Sequence, residues 1–185
     1  MIRFGLLFFS VFILNKSYSQ GIFIGKDKST TITFFSDAPL EKIEGINSTA
    51  TPVFNNGTGD FQIRISMQSF MFKNDLLKEH FNENYIESDK YPYCIFKGKL
   101  EENTIFEDNK ETKAIIVGKM ELHGVIKDVK IEGTIKKVGN ELHFYSVFLM
   151  KPADYNIKIP TLVVEKIAEE VKVTFNSTLI PYVKK

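Results

Sequence analysis

The feature that most constrains this chain is a period of two in its apolar residues. The alternation is clearest at Phe61, Ile63, Ile65 and Met67, and it recurs over 114–122, 129–136 and 171–179. Because successive side chains of a strand point to opposite faces, this period predicts half-buried β-strands. Less regular apolar segments bring the predicted number of strands to about eight, at 30–36, 42–50, 93–101 and 141–151.

Two segments between these strands have a helical rather than a strand spacing. From Asn74 to Asn84, the residues Leu76, Leu77, His80 and Phe81 recur at helical intervals, and Asn74 is a favourable N-cap. The second segment, 160–169, begins at Pro160, a residue that suits the first turn of a helix. The sequence therefore predicts two short helices.

Eight antiparallel strands with one apolar face predict an all-β barrel, because closure of the sheet removes its exposed edges. A length of 185 residues, with 43% hydrophobic and 25% charged side chains, is typical of one globular domain. An eight-stranded outer-membrane barrel has the same period and is the alternative. The helical interruptions and a C-terminus that ends in Lys184 and Lys185 favour the non-membrane barrel.

The first twenty residues have the layout of an export signal. Arg3 precedes an apolar run from Phe4 to Leu14, and small residues follow at Ser17 and Ser19. This pattern predicts a signal peptide over 1–19, a mature domain over 20–185, and a periplasmic or secreted protein. A membrane anchor is the alternative, but a spanning helix needs about 20 apolar residues.

Residues that could carry catalysis do not cluster in the sequence. The three histidines are scattered, and the single cysteine, Cys94, excludes an internal disulfide and a zinc site built on cysteines. The pattern therefore predicts a protein that is not an enzyme and that has no catalytic residue, no metal and no cofactor. A net charge of +1, with basic and acidic residues interleaved, argues against a nucleic-acid partner.

Small residues on the otherwise apolar face suggest space inside the barrel. They fall on several strands, at Ala114, Gly118, Gly133, Ser146 and Ser177. An eight-stranded barrel either fills with side chains or holds one elongated ligand, and small inward residues favour a cavity. The alternative is that the glycines allow the strands to bend.

Four segments of the chain share the features of a known family. They are Thr31 to Glu44, then His80 to Tyr85 followed by Glu87 to Pro92 and Phe96-Lys97-Gly98, then Leu122-His123-Gly124-Val125, and then Ala153 to Pro160. In their order and spacing they resemble the YceI-like family of lipocalin-like, polyisoprenoid-binding proteins, in the branch found in exported Bacteroidetes-like members. It implies a lipocalin-like barrel whose pore carries or stores an isoprenoid or other long-chain lipid without catalysis. Many members begin with an aromatic residue, an Asp, a His-Ser pair and a second His on the first strand. Here the stretch reads Phe23, Asp27, Lys28, Ser29 and Thr31, with no His and no Trp, so the resemblance carries over no head-group site.

The ligand-binding wall is predicted from the inward face of the strands. We expect it to comprise Phe61, Ile63, Ile65, Met67, Phe96, Ile116, Gly118, Met120, Ile131, Gly133, Phe148 and Phe175. The alternative function is an envelope structural or protein-interaction barrel with a closed core. Apolar residues on the opposite face at Tyr145, Val147 and Leu149 motivate it, because they suggest an outer side covered by the helices or by a second copy in a homodimer.

Overall fold

The computed structural model describes residues 21–38, 40, 42–102, 104–159 and 168–183, and these form a closed antiparallel barrel. Its strands are β1 (Ile22–Gly25), β2 (Thr31–Asp37), β3 (Lys42–Asn47), β4 (Val53–Asn55), β5 (Asp60–Ser66), β6 (Tyr93–Leu100), β7 (Glu111–Leu122), β8 (Val125–Val138), β9 (Glu141–Met150) and β10 (Val171–Pro181). The predicted all-β barrel is confirmed, and each of the eight predicted strands is present.

The ten strands occupy only eight positions around the barrel, because two positions are shared. One edge of β10 pairs with β2 through Lys172 to Asn176 and with β1 through Leu179 to Pro181. In the next position, β3 pairs with β2 and β4 pairs with β1. The ring closes through β1, which joins β4 on one side to β10 on the other. We call the β1–β4 end of the barrel its lower end and the β2–β3 end its upper end.

At the upper end, the barrel opens between β3 and β5, and a helical segment fills the gap. This segment, residues 67–85, contains a 3₁₀ turn (Met67–Ser69), helix α1 (Asp75–His80) and a π-helical turn (Phe81–Tyr85). It joins β3 through an isolated bridge between Ile46 and Met71. The Asn74 side chain caps α1 by accepting a hydrogen bond from the Leu77 amide at 2.9 Å, so the first predicted helix and its cap are confirmed.

The barrel also separates between β8 and β9 at the upper end. Their pairing runs from Val138 and Glu141 to Gly133 and Ser146 and ends there. Beyond that point, the Ser146 hydroxyl donates to the Glu132 carbonyl at 2.6 Å. The chain then leaves β9 through a 3₁₀ turn (Pro152–Tyr155), and we call residues 151–159 the crossing segment.

The core lies inside the barrel and beneath the helical segment. Alternation along β7 buries Ala114, Ile116, Met120 and Leu122 on the inner face, whereas Lys113, Lys119 and Glu121 are exposed outside.

Two predictions concern segments that the structure describes only in small part or not at all. The signal peptide over 1–19 and almost all of the second predicted helix, 160–169, lie outside the described residues.

Candidate ligand-binding cavity

An apolar space lies between the upper halves of the strands and the helical segment. This mouth cavity has a volume of about 370 Å³. The strands contribute residues such as Ile65, Met120 and Phe148, and the helical segment contributes Phe70 and Leu77. Leu76, a further lining residue on α1, is 59% exposed, so the cavity reaches the surface beside the helix.

Four phenylalanine rings attach the helical segment to the sheet. Phe34 of β2 has its ring centroid 5.5 Å from Phe70, 5.8 Å from Phe72 and 5.2 Å from Phe81, and all four rings line the mouth cavity. Such offset and edge-to-face pairs stabilise a fold beyond the area that they bury. Gly45 of β3 makes room for this cluster, because a Cβ placed there would lie 2.8 Å from Phe34 Cζ.

A second, smaller space continues the mouth cavity into the barrel. This inner cavity has a volume of about 80 Å³ and is lined mainly by apolar residues of β2 and of β5 to β10. The two cavities share six lining residues, Ile32, Ile65, Cys94, Met120, Phe148 and Val173. Met120 therefore lies at the junction, and its flexible side chain can adapt to a chain that passes from one cavity to the other.

The residues predicted as the wall come together around these two spaces, with one exception. Those that line one or both cavities are Phe61, Ile63, Ile65, Met67, Phe96, Ile116, Met120, Ile131, Gly133, Phe148 and Phe175. The remaining residue, Gly118, lines neither. A Cβ at Gly118 would overlap the Lys97 carbonyl and the backbone of Gly98 on the neighbouring strand. Gly118 thus permits a close approach of β6 and β7, a role that glycine can have within strands.

The other small inward residues also divide by role. Ala114, Gly133 and Ser146 line the inner cavity. Ser177 lines neither cavity; it is fully buried and its hydroxyl lies 2.8 Å from that of Thr30. The sequence prediction missed most of the mouth cavity, whose lining includes Phe34, Phe70 and Ile157. Phe70 and Ile157 lie outside the strands, where the alternation rule gives no signal.

Two buried ionisable groups, Cys94 in the cavity lining and its neighbour Tyr155, have raised pKa values. Burial raises the pKa of the Cys94 thiol to about 12, and nearby Glu121 adds to this effect. Burial also raises the pKa of the Tyr155 phenol to about 12, with Cys94 and Asp154 contributing. Desolvation penalises the charged form of each group. The cavity lining around Cys94 is therefore uncharged at neutral pH, which suits an apolar ligand.

His123 connects three elements at the upper end of the barrel. Its Nδ1 lies 3.0 Å from the Tyr155 carbonyl oxygen, and its Nε2 lies 2.9 Å from Glu87 Oε2. Both partners are hydrogen-bond acceptors, and which ring nitrogen donates depends on the tautomer of the histidine. His123 and Gly124 have φ angles of 52° and 73°, as a tight β7–β8 hairpin requires. The histidine therefore fixes the crossing segment and the loop after the helical segment to this hairpin.

Among the described residues, no group of three or more His, Cys, Asp and Glu side chains could hold a metal ion. Within the same ranges, no helix has both the length and the apolar character to cross a membrane.

Comparisons with known proteins agree with this architecture. A sequence model of the YceI-like domain matches residues 24–179, whereas no curated protein sequence matches the chain. A polyisoprenoid-binding domain from Saccharophagus degradans, implicated in plant cell wall breakdown, is similar in structure, with a TM-score of 0.77 and 14% identity over 89% of this chain and 100% of that one. BcnA from Burkholderia cenocepacia gives a TM-score of 0.68 and 18% identity over 80% of this chain and 95% of that one. The YceI protein of Campylobacter jejuni gives 0.58 and 16%, over 100% of both chains.

Proposed function

This chain belongs to the YceI-like domain family, and we propose that it binds a polyisoprenoid-like or other long-chain amphiphilic lipid in its barrel without catalysing a reaction. The observation that carries the proposal is the apolar space formed by the mouth and inner cavities. None of their described lining residues is Lys, Arg, Asp or Glu. Burial of an apolar chain there is favourable by about 25 cal/mol per Å² removed from water.

Two further features support binding rather than a solid core. The mouth cavity reaches solvent beside α1, so a chain has a route of entry. The similar domain from Saccharophagus degradans is a polyisoprenoid-binding domain, which makes an isoprenoid the first ligand class to test.

The test is recovery of lipid from the protein purified without detergent. We expect organic extraction and mass spectrometry to yield an apolar lipid in near-stoichiometric amount. A matched variant, Met120→Trp, places a large ring at the junction of the cavities and should reduce the lipid recovered. Lys119→Trp, with its side chain on the outer face of the same strand, is the control. A parent protein that carries no lipid and takes none up after delipidation contradicts the proposal.

Export forms part of the same proposal. The predicted signal peptide over 1–19 supports a periplasmic or secreted protein, in which a carrier meets membrane lipids from outside the cytoplasm. N-terminal sequencing of the protein from a Gram-negative host should give a chain that begins at Gln20. A chain that retains residues 1–19 contradicts export by this route.

A second candidate function is a protein-interaction role through the outer face of β9. Tyr145, Val147 and Leu149 are 50%, 43% and 64% exposed there, an apolar stripe of the kind that binding surfaces use. Sedimentation over a range of concentrations tests for a homodimer. A monomer at every concentration argues against the self-associating form of this role.

A further inference from the structure

The apolar space stops partway along the barrel, at a partition of phenylalanine rings. Phe61 and Phe144 stack with their centroids 5.8 Å apart, and Phe144 meets Phe54 edge-on at 5.3 Å. Phe61 and Phe144 line the inner cavity from below. Phe54, which is fully buried, lines a separate cleft at the lower end. A chain that enters at the mouth therefore meets a wall of rings before it reaches that cleft.

The volumes above the partition limit the length of chain that can be buried. Each carbon group of a lipid chain is similar in size to a water molecule, which occupies about 30 Å³ in the liquid. On that scale, the mouth cavity of about 370 Å³ holds the ten carbons of two isoprene units. Together with the inner cavity, of about 80 Å³, the space holds about fifteen carbons, which is three units.

We infer that this barrel selects chains by length, that it buries about three isoprene units, and that the Phe54–Phe61–Phe144 partition sets the limit. The inference rests on the proposed lipid-binding function and adds a ligand class, a short prenyl chain or the terminal units of a longer one. The rest of a longer chain stays outside the mouth. The head group also stays at or beyond the mouth, because no described lining residue is a Lys or Arg that could pair with an anionic group.

The packing around the partition makes the limit a firm one. Phe54, Phe61 and Phe144 are each at most 5% exposed. Phe61 also contacts Phe96 and Phe175, with centroids 6.1 and 6.0 Å away. Rings packed on several sides cannot move aside without opening a void, and close-packed interiors resist such voids.

A series of prenyl chains of increasing length tests the inference. Prenyl monophosphates of two, three, four and five isoprene units would be titrated below their micelle concentrations, by displacement of a fluorescent fatty-acid probe. Each buried CH₂ strengthens binding about fourfold, so the third unit should raise affinity at least tenfold. The fourth and fifth units should change it less than threefold. Affinity that keeps rising tenfold per unit to five units overturns the length limit but leaves lipid binding intact. Absence of binding at every length refutes the proposed function itself.

Two variants shift the limit in opposite directions. Ala114→Leu adds three carbons to the lining of the inner cavity, so it should weaken binding of the three-unit chain at least tenfold and leave the two-unit chain within threefold. Lys113→Leu, on the exposed outer face of the same strand, is the matched control. Phe144→Ala removes a ring of the partition and should extend the tenfold gain to the fourth unit. If Phe144→Ala does not fold, the titration with chains of two to five units and the Ala114→Leu variant still test the length limit. An unchanged three-unit affinity in folded Ala114→Leu refutes the use of the inner cavity.

Discussion

The contact between Gly45 and Phe34 gives the sharpest test of how the helical segment is held. In Gly45→Ala, the new Cβ would lie 2.8 Å from Phe34 Cζ and closer still to Cε1, whereas carbon atoms in contact prefer about 3.5–4.0 Å. The ring must therefore move by about 1 Å. Phe70, Phe72 and Phe81 surround it at 5.2 to 5.8 Å, so any such movement disturbs the cluster or narrows the mouth cavity.

The expected loss of stability follows from two opposing contributions. Overpacking of a filled core costs about 1–3 kcal/mol. Alanine in place of a strand glycine offsets about 0.5–1 kcal/mol of this, because the unfolded chain loses freedom. We therefore expect a net loss of about 1–2 kcal/mol in the free energy of unfolding, combining these two effects.

Urea denaturation of Gly45→Ala, Phe34→Leu and the double variant measures this effect. For a domain of this size, the loss corresponds to a fall in Tm of about 2–8 °C. Leucine at position 34 removes most of the ring that the new methyl group meets, so the double variant should be more stable than the sum of the single effects predicts. The coupling should be at least 0.5 kcal/mol, as for residues in contact. If Gly45→Ala matches the parent in stability, or the two effects simply add, the steric argument is refuted.

Three further predictions concern polar groups near the cavity. Cys94 should resist iodoacetamide at pH 8 in the folded protein and react in urea. Its pKa is raised from 9.0 to about 12 in the folded protein. The contribution of the neutral thiol to stability is therefore complete below pH 9 and is lost as the pH rises from there towards 12. Rapid native-state labelling would contradict its burial. His123→Ala should speed amide hydrogen exchange in 85–91 and 152–157 and leave the lower end unchanged, since only the upper elements lose a contact; uniform acceleration would argue for global destabilisation instead. Ser177→Ala should cost about 1–3 kcal/mol in urea denaturation by leaving the Thr30 hydroxyl buried and unpaired, and the added change Thr30→Val should recover part of it; no recovery would show that the hydrogen bond is not the cause.

The sequence was sufficient to predict the strands that are long enough to show a period. β7 and β8, of 12 and 14 residues, display their inner face several times over. β1 and β4 have only four and three residues, too few for a period to stand out, and both were missed. β1 pairs with β10 and with β4, both of which are distant in the chain, and no local pattern records such pairings.

The two cavities of the candidate site also differ in how far the sequence predicted them. The inner cavity is made by alternating strand residues, so the alternation rule located most of its wall. The mouth cavity depends on where the helical segment packs, and the spacing of Leu76, Leu77 and Phe81 predicts a helix without saying which sheet face it meets. Gly118 shows the limit of reasoning from size alone, because a small residue leaves room equally for a ligand or for a neighbouring backbone.

The pairing of β1 with β10, which closes the barrel, has a consequence for the order of folding. Ring closure joins Phe23 to Pro181 and Gly25 to Leu179, contacts that span nearly the whole described chain. Non-local contacts of this kind are slow to form, because a long loop must close before they stabilise the fold. β1 cannot complete the ring until β10 is available, and until then the sheet has open edges that other chains can pair with. The yield of native protein should therefore depend on how soon the last strand reaches the first.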